Sequence, residues 1–269
     1  MELGLKNRTA LVCGASKGIG RGIALALARE GVHVALIARG ADGLAAVAEQ
    51  IRSECDVDVA TVSADLADST SVKNAVATLQ AQPRFSTLNI LINNAGVPVT
   101  RADRQILWDD DDWRELIEVK TLGALRTIRE VLPLMARDGS GRIVNITGTS
   151  GTAVWQPALM HGLTNSSLIH TTGYLAADLW AERITVNAII PGLVGTEYRE
   201  EWMAGMAEGS GRTSDEELAH FCKSKGIFME RWAKVEEVAD LALFLASDRA
   251  AYINGAKIAI DGGLGLNIR

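Results

Sequence analysis

Seven short runs of β-branched and apolar residues recur along this 269-residue chain, with longer segments of helical spacing between them. The runs are TALVCG (9–14), VHVALIA (32–38), VDVATVS (57–63), LNILIN (88–93), GRIVNIT (141–147), ITVNAII (184–190) and KIAI (257–260). The segments between them, such as GIGRGIALALAREG, SVKNAVATLQAQ, DDWRELIEVKTLGALRTIREVLPLMARDG and VEEVADLALFLASD, repeat apolar residues at helical intervals. The runs are near-continuous rather than alternating, as in strands of a parallel sheet covered on both faces. With no Pro-, Gly- or Ser-rich linker, this pattern predicts one doubly wound α/β domain over residues 1–269.

Composition narrows the function. Hydrophobic residues make up 48% and charged residues 22%, an ordinary globular profile. Lys and Arg number 27 against 33 Asp and Glu, a net charge of -6. No segment gathers cations into a phosphate-neutralising stripe, so no nucleic-acid partner is expected. No run approaches the roughly 18 to 20 apolar residues of a membrane span. Cys13, Cys55 and Cys222 are too scattered for a disulfide framework or a CxxC metal pair, which suits a reducing cytoplasm. Asp109 to Asp112 read as a helix start rather than a metal site, because no second group of oxygen ligands accompanies them.

The first run leads into Gly14-Ala15-Ser16-Lys17-Gly18-Ile19-Gly20 and then a helical segment. That strand-turn-helix context is the one in which a glycine-rich loop binds a pyrophosphate. Glycines allow the tight turn and close backbone approach, and the helix N-terminus offers free N–H groups to the anion. Two stretches at carboxyl ends of strands, 97–112 and 193–228, are placed to form substrate walls and a lid. Trp155, Trp202, Met203 and Met206 would line a pocket there or pack the lid itself.

The GxxxGxG loop is joined by Asn93-Asn94-Ala95-Gly96 after the fourth run, Pro191-Gly192 and Thr196 after the sixth, and Asp261-Gly262-Gly263 near the end. With these motifs in this order, the chain resembles the short-chain dehydrogenase/reductase family from about residue 5 to residue 265. The resemblance implies a Rossmann-type, seven-stranded parallel sheet with helices on both faces, a nicotinamide dinucleotide on its carboxyl edge, and a homo-oligomer, dimer or tetramer. It also implies that Gly14, Ser16, Lys17, Gly18, Ile19 and Gly20 meet the phosphates, and Asp65 and Leu66 the adenine. Asn93, Ala95 and Gly96 would then meet the ribose region, and Pro191, Gly192, Val194 and Thr196 the nicotinamide. NAD sites place a carboxylate after the second strand, whereas here it ends Ile37-Ala38-Arg39. In similar proteins Arg39 and Lys17 flank a 2'-phosphate, which favours NADP(H) over NAD(H).

Members of that family use an Asn, a Ser, a Tyr and a Lys for acid-base chemistry at a carbonyl or hydroxyl group of a small molecule. Matched residue by residue, Lys120 stands at the Asn position, Gly148 at the Ser position, His161 at the Tyr position and Asn165 at the Lys position, where the nicotinamide ribose is held. All four are substituted. Two readings follow. In one, the chain remains an oxidoreductase. His161, with an ordinary pKa of about 6.5, serves as acid-base, Lys120 supplies positive charge, and Thr147, Thr149 or Ser150 replaces the missing hydroxyl. In the other, hydride transfer is lost and the chain is a dinucleotide-binding partner subunit, a lyase or a dehydratase.

Overall fold

All seven apolar runs form strands in the computed structural model, which describes residues 2–97, 104–154 and 158–266; Trp155 and residues 98–103 of the first wall lie outside that description. The strands are β1 (Thr9–Cys13), β2 (His33–Ala38), β3 (Val59–Ser63), β4 (Ile90–Asn93), β5 (Gly141–Ile146), β6 (Ile184–Pro191) and β7 (Lys257–Ile260). They pair in parallel in the order β3-β2-β1-β4-β5-β6-β7. The order reverses between β1 and β4, where Cys13 is in register with Asn93. At such a switch point the connections diverge and leave a crevice at the carboxyl edge.

Helices cover both faces because strand residues alternate between them. Ala10, Val12, Val34 and Leu36 pack toward α1 (Gly18–Arg29), α2 (Ala41–Glu54) and α9 (Val235–Ala246). Leu11, Cys13, Ala35 and Ile37 pack toward α3 (Ser69–Gln80), α5 (Gly123–Val131) and α6 (Leu159–Leu179). Burial on both sides removes the polar alternation of a half-exposed strand. His33 belongs to this packing: it is buried, and its Nδ1 accepts from Asp58 N at 2.9 Å.

Two elements differ from the sequence expectation. The helical pattern from 111 to 139 is not one helix. It is α4 (Asp110–Leu116), a π turn (Ile117–Leu122) and α5, after which Pro133 sits in a 3-10 turn. The start follows the expectation, since Asp109 caps α4 by accepting from Asp111 N and Asp112 N. The weakly patterned 193–228 contains α7 (Glu197–Ser210) and α8 (Ser214–Lys225), joined by Gly211 at φ 73°. Their stripes are narrow because they pack mainly on each other: Met203, Phe221, Cys222 and Trp232 form a small core beside Trp202 and Met206. Trp202, Met203 and Met206 thus serve this core. Among the described residues no helix is long and apolar enough to cross a membrane.

Candidate active site

The glycine loop leaves β1 at the carboxyl edge of the sheet and leans on β2, with Gly14 N donating to Ile37 O at 2.7 Å. Gly14 and Gly18 have φ of 70° and 55°, a region open to glycine. A Cβ on Gly20 would lie 2.1 Å from Gly14 O, and one on Gly14 2.9 Å from Ala95 Cα. Asn94, of the Asn93-Asn94-Ala95-Gly96 motif, clamps the turn by donating to Gly14 O at 3.1 Å. Lys17, the residue before α1, makes no side-chain cap, so the first-turn amides of this 12-residue helix keep their donors. Thr196, preceding α7, brings its Cγ2 within 3.3 Å of a Cβ built on Gly18, closing the loop from the other side.

The remaining dinucleotide candidates line the same edge. Ser16 meets Gly43 of α2, while Ile19 is half-buried behind the loop. Lys17 and Arg39 are both exposed at the ends of neighbouring strands. Asp65 is exposed with its Oδ1 accepting from Ala67 N at 3.0 Å, beside buried Leu66. Gly192 N donates to Ile260 O, and Val194 bridges to Ala233, which fixes the path after Pro191. Asn93 donates to Asn145 Oδ1 at 2.9 Å, and Asn145 in turn to Thr172 Oγ1 at 3.0 Å.

Two buried acceptors in this edge, Asn93 Oδ1 and Asn165 Oδ1, have no partner among the described residues. A buried amide oxygen without a donor is costly unless a ligand hydroxyl or amide supplies one. Together with the glycine cradle and the open helix N-terminus, they fit a dinucleotide along this edge.

Lys120 owes its position to the π turn. Gly123 N bonds back to Glu118 O across the wide turn. Arg126 Nη1 reaches Glu118 O at 3.2 Å and Ala67 O at 2.9 Å, and Arg126 also pairs with the Glu118 carboxylate. A π turn inserts one residue into the helix and re-aims the side chains around it. Thr121 Oγ1 and Ser167 Oγ lie 2.9 Å apart, pinning the turn to α6. Lys120 then lies beside Asn93 and Ala95 and across from Gly96, with Nζ 3.5 Å from Thr147 O. Burial pulls its pKa down to about 8.

His161 and Asn165 stand one turn apart near the start of α6. Burial first, then the positive charges of Lys120 and Arg199, pull the His161 pKa down to about 4. The expectation of an imidazole titrating near neutrality is therefore corrected: it is uncharged at pH 7, because desolvation and two neighbouring cations penalise its protonated form. Asn165 donates to Ser150 Oγ at 2.9 Å, leaving the Ser150 hydroxyl proton available. Thr147 is corrected as a substrate donor: its hydroxyl is buried and already donates to Ile189 O at 2.8 Å.

Arg199 is the residue that sequence reasoning missed. It is the cation in Glu197-Tyr198-Arg199-Glu200-Glu201 and reads there as part of a solvated, acidic helix face. In the structure it is half-buried instead, and its charge helps lower the His161 pKa. A separate cleft of about 500 Å³ between α1 and α9, bordered by Arg21, Arg29 and Asp240, contains none of the candidate catalytic residues.

Comparison with known proteins agrees with this architecture. A family model described as enoyl-(acyl carrier protein) reductase matches residues 14–265. The 3-oxoacyl-(acyl-carrier-protein) reductase FabG of Staphylococcus aureus is 34% identical over 259 residues, covering 96% of this chain and 98% of that protein. D-beta-hydroxybutyrate dehydrogenase of Rhizobium meliloti is 30% identical over 257 residues, covering 95% and 98%. Among solved structures, L-sorbose reductase from Gluconobacter frateurii, complexed with NADPH and L-sorbose, superposes with a TM-score of 0.91 at 28% identity over 100% of both chains. A short chain dehydrogenase from Burkholderia cenocepacia in complex with NADP gives 0.82 at 29% identity, covering 97% and 98%. The chain belongs to the short-chain dehydrogenase/reductase family and is an oxidoreductase of that family.

Proposed function

We propose that the protein interconverts a carbonyl and a hydroxyl group of a small molecule using NADP(H) in preference to NAD(H), with Lys120 as the proton-exchanging residue. The observation that carries this reading is Lys120 itself: a desolvated ammonium with a pKa of about 8, beside Asn93 and Ala95 at the switch point. A proton donor works best with a pKa near the working pH. His161, at about 4, is a poor acid-base at neutrality and acts as a neutral hydrogen-bond partner for the substrate.

In this reading Gly14, Ser16, Gly18, Ile19 and Gly20 hold the pyrophosphate, Lys17 and Arg39 the 2'-phosphate, and Asp65 and Leu66 border the adenine. Asn93, Ala95, Gly96 and Asn165 hold the nicotinamide ribose, and Pro191, Gly192, Val194 and Thr196 the nicotinamide. The orphan Asn165 Oδ1 and the exposed pair Lys17 and Arg39 support these assignments. When bound, NADPH supplies the hydride. Lys120 gives a proton to the carbonyl oxygen as negative charge develops there, is left as a neutral amine, and is reprotonated from water. The Ser150 hydroxyl, held by Asn165, donates to the same oxygen.

The same reading has the chain working as one domain whose 193–228 excursion closes over the substrate, assembled as a dimer or tetramer in the cytoplasm. The exposed Leu159, Leu163 and Tyr174 on α6 support assembly, and three free cysteines support a reducing compartment. No observation favours the non-redox alternative, since the relatives named above are reductases and dehydrogenases. The test is NADPH oxidation against a carbonyl panel by the wild type and Lys120→Met. The variant should lose about a hundredfold or more in kcat while still binding NADPH. Undiminished turnover would remove Lys120 from the reaction.

A further inference from the structure

The α7 helix carries a cation that no anion among the described residues neutralises. Arg199 lies in its first turn, anchored by its amide to Thr196 O at 2.8 Å. Its guanidinium sits over the rings of Trp202 at 5.4 Å and Tyr198 at 5.8 Å. Trp202 is itself fixed, stacked on Trp232 at 6.3 Å and edge-on to Phe221 at 5.3 Å. Aromatic faces hold the plane of a guanidinium while leaving its N–H edges free for a ligand. Among the described residues those N–H groups have no carboxylate or carbonyl partner, and Glu197, an acid two residues away, pairs with Arg21 at 3.3 Å instead.

The surroundings make this unusual. The protein has a net charge of -6, yet the positive charges of Lys120 and Arg199 both act on the neutral His161. No described carboxylate perturbs any of the three. A desolvated arginine without an anion is unfavourable, and such a group is completed by a carboxylate, which the planar fork meets with two parallel hydrogen bonds. Resting on the oxidoreductase reading above, we propose that the substrate bears a carboxylate close to its reacting carbon and that Arg199 receives it. The aromatic bed of Trp202 and Tyr198 sets where that carboxylate lies relative to Lys120.

The test uses the full chain with NADPH and two readouts. Turnover of short-chain oxo acids is compared with that of their methyl esters, in the wild type, Arg199→Gln and Arg199→Lys. Binding of butyrate and of butyramide to the protein–NADPH complex is followed in parallel by tryptophan fluorescence. The acids should be favoured over the esters by about tenfold or more in kcat/KM. Arg199→Gln should raise KM for the acids and weaken butyrate binding by about tenfold or more, with Arg199→Lys intermediate. Equal use of acids and esters, or unchanged butyrate affinity in Arg199→Gln, overturns the proposal and leaves the oxidoreductase reading intact. Arginine-dependent butyrate binding without turnover of either class upholds the carboxylate site and overturns the redox reading instead. Unchanged NADPH affinity verifies that the variants are folded.

Discussion

Asn165 Nδ2 donates to Ser150 Oγ at 2.9 Å and stands 2.8 Å from where a Cβ on Gly148 would lie. One buried amide thus ties the loop after β5 to α6 and occupies the space a side chain at 148 would need. Gly148→Ser is therefore expected to destabilise the protein by about 1 to 3 kcal/mol through overpacking, without raising turnover. Gly148→Ser combined with Asn165→Ala should recover much of the loss. Thermal melts of the two variants and the wild type decide it, and an unchanged melting temperature in the single variant would show that Asn165 can yield.

Lys120 makes stability depend on pH in the alkaline range. Folded Lys120 has a pKa of about 8, against an ordinary 10.5. Between those values the unfolded chain binds more protons, so stability from this group rises with pH from about 8 to 10.5. Below pH 8 the full burial cost applies, on the order of 3 kcal/mol. Lys120→Met should be more stable than the wild type at pH 7 and should lose that advantage as the pH approaches 10.5. Urea melts at both ends of the range measure the gap, and a constant gap would refute the shifted lysine.

His161 acts in the acid range. Its pKa is lowered from 6.5 to about 4, so stability is lost as pH falls through that window, because the unfolded imidazole takes up a proton that the folded one refuses. His161→Gln should flatten stability between pH 6.5 and 4. It should also keep turnover at pH 7 within about tenfold, because a neutral hydrogen-bonding group is retained. Total loss of turnover in that variant would return the proton-transfer role to the imidazole.

Lys17 and Arg39 are expected to act on the 2'-phosphate and little else. Both are exposed, so replacing the pair with alanine should leave the fold unchanged. NADPH affinity should fall by roughly tenfold to a hundredfold, the value of one or two charge-assisted hydrogen bonds. NADH affinity should change little. Fluorescence titration with each dinucleotide makes the comparison, and equal losses would assign the two cations to general attraction.

The strands and the glycine loop were legible in the sequence for a local reason. A strand buried on both faces must be apolar at nearly every position, so each run announces itself, and the order of helical segments between them leaves few sheets to choose from. Gly14, Gly18 and Gly20 were legible because the backbone itself needs them: positive φ at the first two and a carbonyl oxygen 2.1 Å from any Cβ on the third. Arg199 was not legible, since three glutamates within two residues of it suggest a solvated face, and only the fold brings Trp202, stacked on Trp232, beneath its guanidinium. The π turn was equally hidden, because the apolar pattern through 111–139 is continuous and the register break depends on Arg126 reaching Glu118 and Ala67.

What the chain determines by itself is the succession of strands and helices of a doubly wound sheet and the glycine loop after β1, all from local periodicity and steric need. Only the tertiary structure decided the protonation of the candidate catalytic groups. Lys120 near 8 and His161 near 4 follow from desolvation and from charges brought together by distant segments, and through-space electrostatics leaves no mark on a sequence pattern.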